Sequence, residues 1–422
     1  MELVLVLTIL LSIFGGVIDR FIPFNYFDEL VFAIFLIVGL FQILFVRKRI
    51  PHNLKKGLAW FAFYLLMCLI STLVYRYQTN PVAILKDIVA IMKFPIIICF
   101  GTAIFSNGGI SKHSKHNLLT ILKIVTVIIF AFSLVNFVID IGMSTEIRHG
   151  LRTYKFLFSH ETLMVSSVAI IMAILATEKL FSKYMLMNLI VLFASGRDKA
   201  YILIIVYLLV LLISGIKSRS NKKAFIFWMS IPIVLFVVFF TYDKIVNGYI
   251  QYGTQTARLA FIIHGFEFAN DSFPLGTGFA TWANSPSGEY YSVLYHIKNM
   301  ETIYGIEFEG NSSITYWNDV FWPSIYTQGG YLGLFGYVAM LFMFIKEFLY
   351  ITKKNTVQRN ALIVLLSYVL MASLLESYFT NDAGVTVALV LVLVFGKPRC
   401  YLVRSEVKQN VPTLTSQKGE CA

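Results

Sequence analysis

Apolar residues come in long blocks separated by short polar connectors. Twelve blocks predict helices at 3–18, 27–46, 57–75, 82–105, 118–140, 156–177, 184–194, 200–216, 224–241, 321–345, 360–378 and 384–395. Most approach the roughly 20 apolar residues that cross a bilayer core as helix, and the short seventh and twelfth must borrow flanking residues. One long hydrophilic interruption, 242–320, breaks the series, and a polar, aperiodic tail follows at 397–422. The pattern therefore predicts an all-α polytopic membrane protein of about 12 transmembrane helices. Residues 1–396 form a single membrane domain with one long external loop, and the tail is expected to be disordered in the cytoplasm. Inside the loop, 254–269 has helical spacing, with Leu259, Ile262, Ile263 and Phe266 on one face. Pro274, Gly276 and Gly278 end it in a turn. Gly330, Gly333 and Gly336 recur every three residues in the next block, a face that lets a neighbouring helix come close.

Composition agrees: 58% of the 422 residues are hydrophobic and 14% charged, and the mean hydropathy is +0.74. A soluble domain carries charge on about a quarter of its residues. The net charge of +12 is read as topology, not as affinity for nucleic acid. Of the 35 lysines and arginines, 22 fall in connectors on one side and ten on the other. The richer side is expected to be cytoplasmic, which puts both termini inside and the long loop outside. The cysteines (68, 99, 400 and 421) have neither disulfide nor zinc spacing. The first block lacks a basic region and a cleavage site, and is expected to be a retained span.

Candidate chemistry gathers on the outer side. Arg197 sits in a short turn, FASGRDKAY, and Arg258 in the helical stretch of the loop. Each either snorkels to lipid head groups or grips a phosphate with a fixed guanidinium. Arg148, His149 and Arg152 form a second basic cluster, either a solvated face or part of the same site. Lys93 lies near mid-span, where an unpaired charge costs about 2.5–3.5 kcal/mol. It is therefore expected to face the interior, as an ion pair or a substrate contact. Asp319, where the loop re-enters the membrane, is a candidate base or a helix N-cap. Glu267, His264, Asp271 and His160 are further candidate bases. His264 and Glu267 share a helix face, but no third ligand follows, so no metal is expected. Trp282 and Trp317, with several tyrosines, suit the flat faces of sugars or belong to an interfacial aromatic belt.

Three stretches carry a resemblance. FASGRDKAY, TARLAFIIHGFEFANDSFPLGTGF and WNDVFWPSIYTQGGYLGLFG resemble, in order, the small-residue-plus-arginine turn, the second-arginine helix with its Pro-Leu-x-Gly-x-Gly turn, and the re-entry segment of Wzy-type bacterial polysaccharide polymerases and the related O-antigen ligases. The matching stretches cover about an eighth of the chain. The resemblance implies a metal-independent, inverting glycosyltransferase of the bacterial cytoplasmic (inner) membrane, without a cofactor. Its substrate would be an undecaprenyl-pyrophosphate-linked oligosaccharide, joined into capsule, exopolysaccharide or O-antigen. Arg197 and Arg258 take the places of the family's two arginines, and Asp319 would receive or orient the acceptor proton. Lys93, Arg148, Arg152, His264, Glu267, Trp282 and Trp317 would contact substrate. Expected partners are membrane lipid and the pathway's chain-length regulator and flippase. The chain departs from the ligases at Asn318 and Asp319, where they carry a histidine, which favours polymerase. A ligase, and a lipid-linked oligosaccharide flippase, are the alternatives.

Overall fold

The computed structural model describes residues 2–21, 26–106, 108–148, 150–216, 246, 251–308 and 315–396. Among these the chain forms fifteen α-helices and a two-residue β-hairpin, Ile147–Arg148 with Leu151–Arg152. The helices are α1 Glu2–Ile13, α2 Gly15–Ile18, α3 Phe27–Leu44, α4 His52–Tyr75, α5 Pro81–Ile104, α6 Lys112–Val138, α7 Glu161–Ala176, α8 Lys183–Ala194, α9 Asp198–Gly215, α10 Ala257–Asp271, α11 Ser285–Glu289, α12 Val293–Ile297, α13 Trp322–Ile351, α14 Thr356–Ala372 and α15 Asp382–Leu393. Eleven of the twelve expected blocks thus contain a helix. The ninth (224–241), His149 and the tail lie outside the described residues.

Five helices, α3, α4, α6, α9 and the long α13 with the turn that follows it, have the length and apolar composition to cross a membrane. This supports a multi-pass membrane protein. The apolar helices α1, α7, α8, α14 and α15 are shorter. Large side chains such as Ile37, Leu73, Phe137 and Phe342 point outward and stay exposed. So apolar an outer surface suits lipid contact.

Local chemistry explains the helix starts. Ser111, Ser182, Asn355 and Asn381 accept from the first-turn amides of α6, α8, α14 and α15. Asn80 caps α5 with Pro81 directly behind it. Close packing relies on small residues. A Cβ at Gly333 or Gly336 of α13 would press on Tyr64, Met67 or Phe63 of α4. The expected third member of that face, Gly330, belongs elsewhere: its φ of +66° breaks α13, and it abuts the Leu275 carbonyl. Gly329 meets Tyr64 in its place.

The polar interruption is itself folded. Phe261, Phe268, Trp282, Leu294, Tyr295, Met300 and Val320 form a core separate from that of the bundle. The helical stretch is present as α10, but its buried face is Ala257, Ala260, Phe261, Gly265 and Phe268. Ile262, Ile263 and Phe266, which share the expected face, are exposed, with Phe266 stacked on Tyr326 at 4.3 Å. Periodicity identified the helix, whereas a tertiary partner chose its face.

This unit docks through backbone. Thr277 and Gly278 amides donate to the Thr327 and Gln328 carbonyls (2.8 and 3.0 Å) at the break in α13. The Gly276 and Phe279 amides donate to the Ser71 and Thr72 hydroxyls of α4. Asp87 of α5, fully buried, accepts from the Ala280 amide and the Asn284 side chain. The Pro-Leu-x-Gly-x-Gly turn is therefore a clamp between the two cores.

Candidate functional site

The turn between α8 and α9 is Ser195, Gly196 and Arg197. Gly196 has φ +66°, and a Cβ there would sit 2.9 Å from the Thr153 side chain. The Ser195 hydroxyl donates to the Leu192 carbonyl and accepts from the Arg197 amide, which fixes the turn. Arg197 occupies the N-cap position of α9 and is mostly buried. Its Nη2 donates to Glu161 Oε2 at 2.8 Å and lies 3.2 Å from Glu146 Oε1 and 2.9 Å from His160 Nε2. Its Nε is buried and makes no hydrogen bond. Glu161, fully buried at the start of α7, is also held by the Thr145 and Thr153 hydroxyls.

The basic cluster divides. Arg148 Nε bonds Glu146 Oε1 at 2.9 Å, so Arg148 and Arg197 share one carboxylate. Arg152 turns away: it donates to the Asn136 carbonyl (3.0 Å) and faces Asp140. It thereby satisfies the C-terminal end of α6, where a cation is favoured.

Arg258 lies in the first turn of α10, and its Nη2 donates to Asp319 Oδ2 at 2.9 Å. Asp319 does not cap α13; that position is Phe321, without a side-chain bond. Nor is it a carboxylate standing by itself in an apolar setting, as a candidate base would require, because a guanidinium holds it.

Lys199 lies in the first turn of α9 and is 5% exposed. Its Nζ donates to Glu376 Oε1 at 2.9 Å. It is near enough to feel repulsion from both Arg197 and Arg258. The segment bearing Glu376 is stitched to the one bearing Asp319: the Ser377 amide donates to the Asn318 carbonyl and its hydroxyl to the Val320 carbonyl, both at 2.9 Å. The two arginines, 61 positions apart in sequence, thus border one polar cluster. Its cations are Arg148, Arg197, Lys199 and Arg258; its carboxylates are Glu146, Glu161, Glu376 and Asp319.

His160 caps α7 beside Arg197. Burial and the Arg197 charge hold its pKa below the ordinary imidazole range, so at neutral pH it is uncharged.

The remaining expected residues lie elsewhere. Lys93 is buried in an ion cluster with Asp28 and Glu29 of α3, the structural alternative for this residue. Asp28, Asp19 and Asp382 line a small cavity of about 20 Å³ beside it. His264 and Glu267 bond each other (2.8 Å), and Lys298 bonds Glu267 (2.7 Å) on the loop unit. Lys298 and His264 hold the Glu267 carboxylate below its usual range. Trp282 is fully buried, donating Nε1 to the Phe261 carbonyl, so it supports the loop core and is not accessible to a sugar. Trp317 is half-buried against Phe261 and Tyr295, which leaves part of its surface open. A second small cavity, apolar and about 20 Å³, lies among α5, α13, α14 and α15, and Phe379, three residues past Glu376, lines it.

Lys199, Glu376, Glu161 and Glu146 went unselected from sequence. A usable signal existed: Arg197, Lys199 and Arg258 all fall at helix starts, where the dipole disfavours cations. Such placement calls for anionic partners. Comparison with known proteins returned no matching family model and no matching curated protein.

Proposed function

We propose that this chain is a glycosyltransferase that joins undecaprenyl-pyrophosphate-linked oligosaccharide repeat units into a surface polysaccharide, on the external face of a bacterial cytoplasmic membrane. The observation that carries this reading is the gathering of Arg197, Lys199 and Arg258 at helix starts, bridged by the Lys199–Glu376 pair. Helix N-termini and guanidinium groups both favour anions. A diphosphate gains charge as its bond to the sugar breaks, so fixed cations there stabilise the transition state.

In the proposed reaction the acceptor hydroxyl oxygen attacks the anomeric carbon, the bond to the pyrophosphate oxygen breaks, and the linkage inverts. The hydroxyl proton goes to a base. His160 and Asp319, each held by one of the two arginines, are the candidates for that base. The excess of Lys and Arg on one side supports the loop-outside orientation. A ligase differs in its acceptor alone. A flippase has one observation in its favour, the buried Lys93–Asp28–Glu29 cluster, because intramembrane ionisable groups often mark transport paths.

The test is product length from purified, reconstituted protein supplied with lipid-linked repeat units. Wild type should lengthen them, while Arg197→Ala and Arg258→Ala, inserting normally, should lose about 100-fold or more. Full polymer length and amount from both variants would remove the assignment. Lipid movement across the bilayer without longer products would favour transport.

A further inference from the structure

Resting on the reading just given, we propose that Lys199 is a third anion-binding group of the site and that Glu376 occupies its place until the substrate diphosphate arrives. The contrast between two carboxylates, one buried and one partly exposed, carries this. Glu161 is fixed from several directions: Arg197 on one oxygen, the Thr145 and Thr153 hydroxyls on the other, and no exposure to solvent. Glu376 is bonded through its carboxylate to Lys199, and among the described residues no hydroxyl or backbone amide ties it. It stands on the irregular stretch between α14 and α15 and keeps 17% side-chain exposure. The first is a structural counter-ion; the second can leave.

Lys199 has no comparable freedom. It is 5% exposed on the first turn of α9, with Arg197 before it and Arg258 within electrostatic reach. A buried ammonium needs an anion, and its neighbours repel it. Glu376 meets that need in the free protein. A diphosphate, carrying more charge over more oxygens, can replace one carboxylate and be shared among three cations. The Glu376 side chain then turns toward solvent, leaving its hydrogen-bonded backbone and α9 undisturbed.

The two roles predict opposite signs for one substitution. Geranylgeranyl diphosphate is titrated calorimetrically into the detergent-solubilised full chain, with geranylgeraniol as the control lacking phosphate. Glu376→Gln removes the competitor and should tighten diphosphate binding by about tenfold, a typical single-interaction step. Lys199→Gln should weaken it by a similar factor, and the alcohol should bind every variant alike. Where Lys199→Gln fails to fold, having left Glu376 without its partner, the double variant Lys199→Gln/Glu376→Gln removes both charges. It should bind more weakly than Glu376→Gln.

Weaker binding by Glu376→Gln, or equal affinity of the double variant and Glu376→Gln, overturns the proposal while leaving the arginine site standing. Failure of the wild-type chain to prefer the diphosphate over the alcohol overturns both, and is read separately in the wild-type titration.

Discussion

The helical bundle and the loop unit bury different things. The bundle core is aliphatic and aromatic, and its outward face is also apolar, so packing is set by small residues where α13 meets α4. The loop unit has a small aromatic core around Trp282 and joins the bundle through amides, hydroxyls and one buried carboxylate, Asp87. An apolar helix can slide in lipid at little cost, whereas a network of buried hydrogen bonds has one satisfying geometry. The difference explains how a site assembled from both regions keeps Arg258 in register with Lys199 and Arg197.

The sharpest way to break this comparison is at Trp282. Trp282→Ala should cost about 3–5 kcal/mol within the loop unit, as for other large buried aromatics. Limited proteolysis should then cut within 257–308 much faster, while the bundle helices stay protected. Equal loss of protection in both regions would show that they are one cooperative unit.

Docking without loss of the loop core is tested at Gly276, where a Cβ would lie 2.3 Å from the Gln328 carbonyl oxygen and the Gly330 nitrogen. Gly276→Ala should cost about 1–3 kcal/mol, the usual range for overpacking. Exchange of the Thr277 and Gly278 amides, measured by hydrogen–deuterium exchange, should rise, with the Trp282 environment retained in fluorescence.

A smaller contrast separates the paired arginines of the hairpin. Arg148 shares Glu146 with Arg197, whereas Arg152 serves the end of α6. Arg148→Ala should lower polymer yield. Arg152→Ala should leave yield within about threefold, lowering thermal stability by the ~0.3–1 kcal/mol of a helix-end charge. The reverse order would exchange their roles.

The mildest effect is with pH. The pKa of His160 is lowered in the fold, so the unfolded chain takes up the proton first on acidification. Its stabilising contribution is present above the ordinary value near 6.5 and is lost as pH falls through the lowered one. Glu267, also lowered, loses its contribution only as pH falls from below about 4.5. Thermal unfolding from pH 7.5 to 5 should therefore show a decline that His160→Gln abolishes and Glu267→Gln does not.

Much of the architecture was legible along the chain because the requirement is one-dimensional: a bilayer asks for consecutive apolar residues, and sequence displays them directly. Eleven helices and the separateness of the loop followed from that. The glycines at 276 and 278 were likewise visible as turn chemistry. Which face of α10 turns inward was decided by Trp282 and Thr327, far along the chain, and Gly330 was claimed by Leu275 instead of by α4.

The site divides the same way. Arg197, Arg258 and Asp319 stood out because a polar group near a membrane surface is conspicuous by itself. Lys199 and Glu376 acquire meaning as a pair, and 177 positions separate them. Sequence determined where charge had to be accommodated, through hydropathy and helix polarity. Tertiary structure decided which carboxylate answers which cation, because Coulomb attraction depends on distance in space and not on separation along the chain.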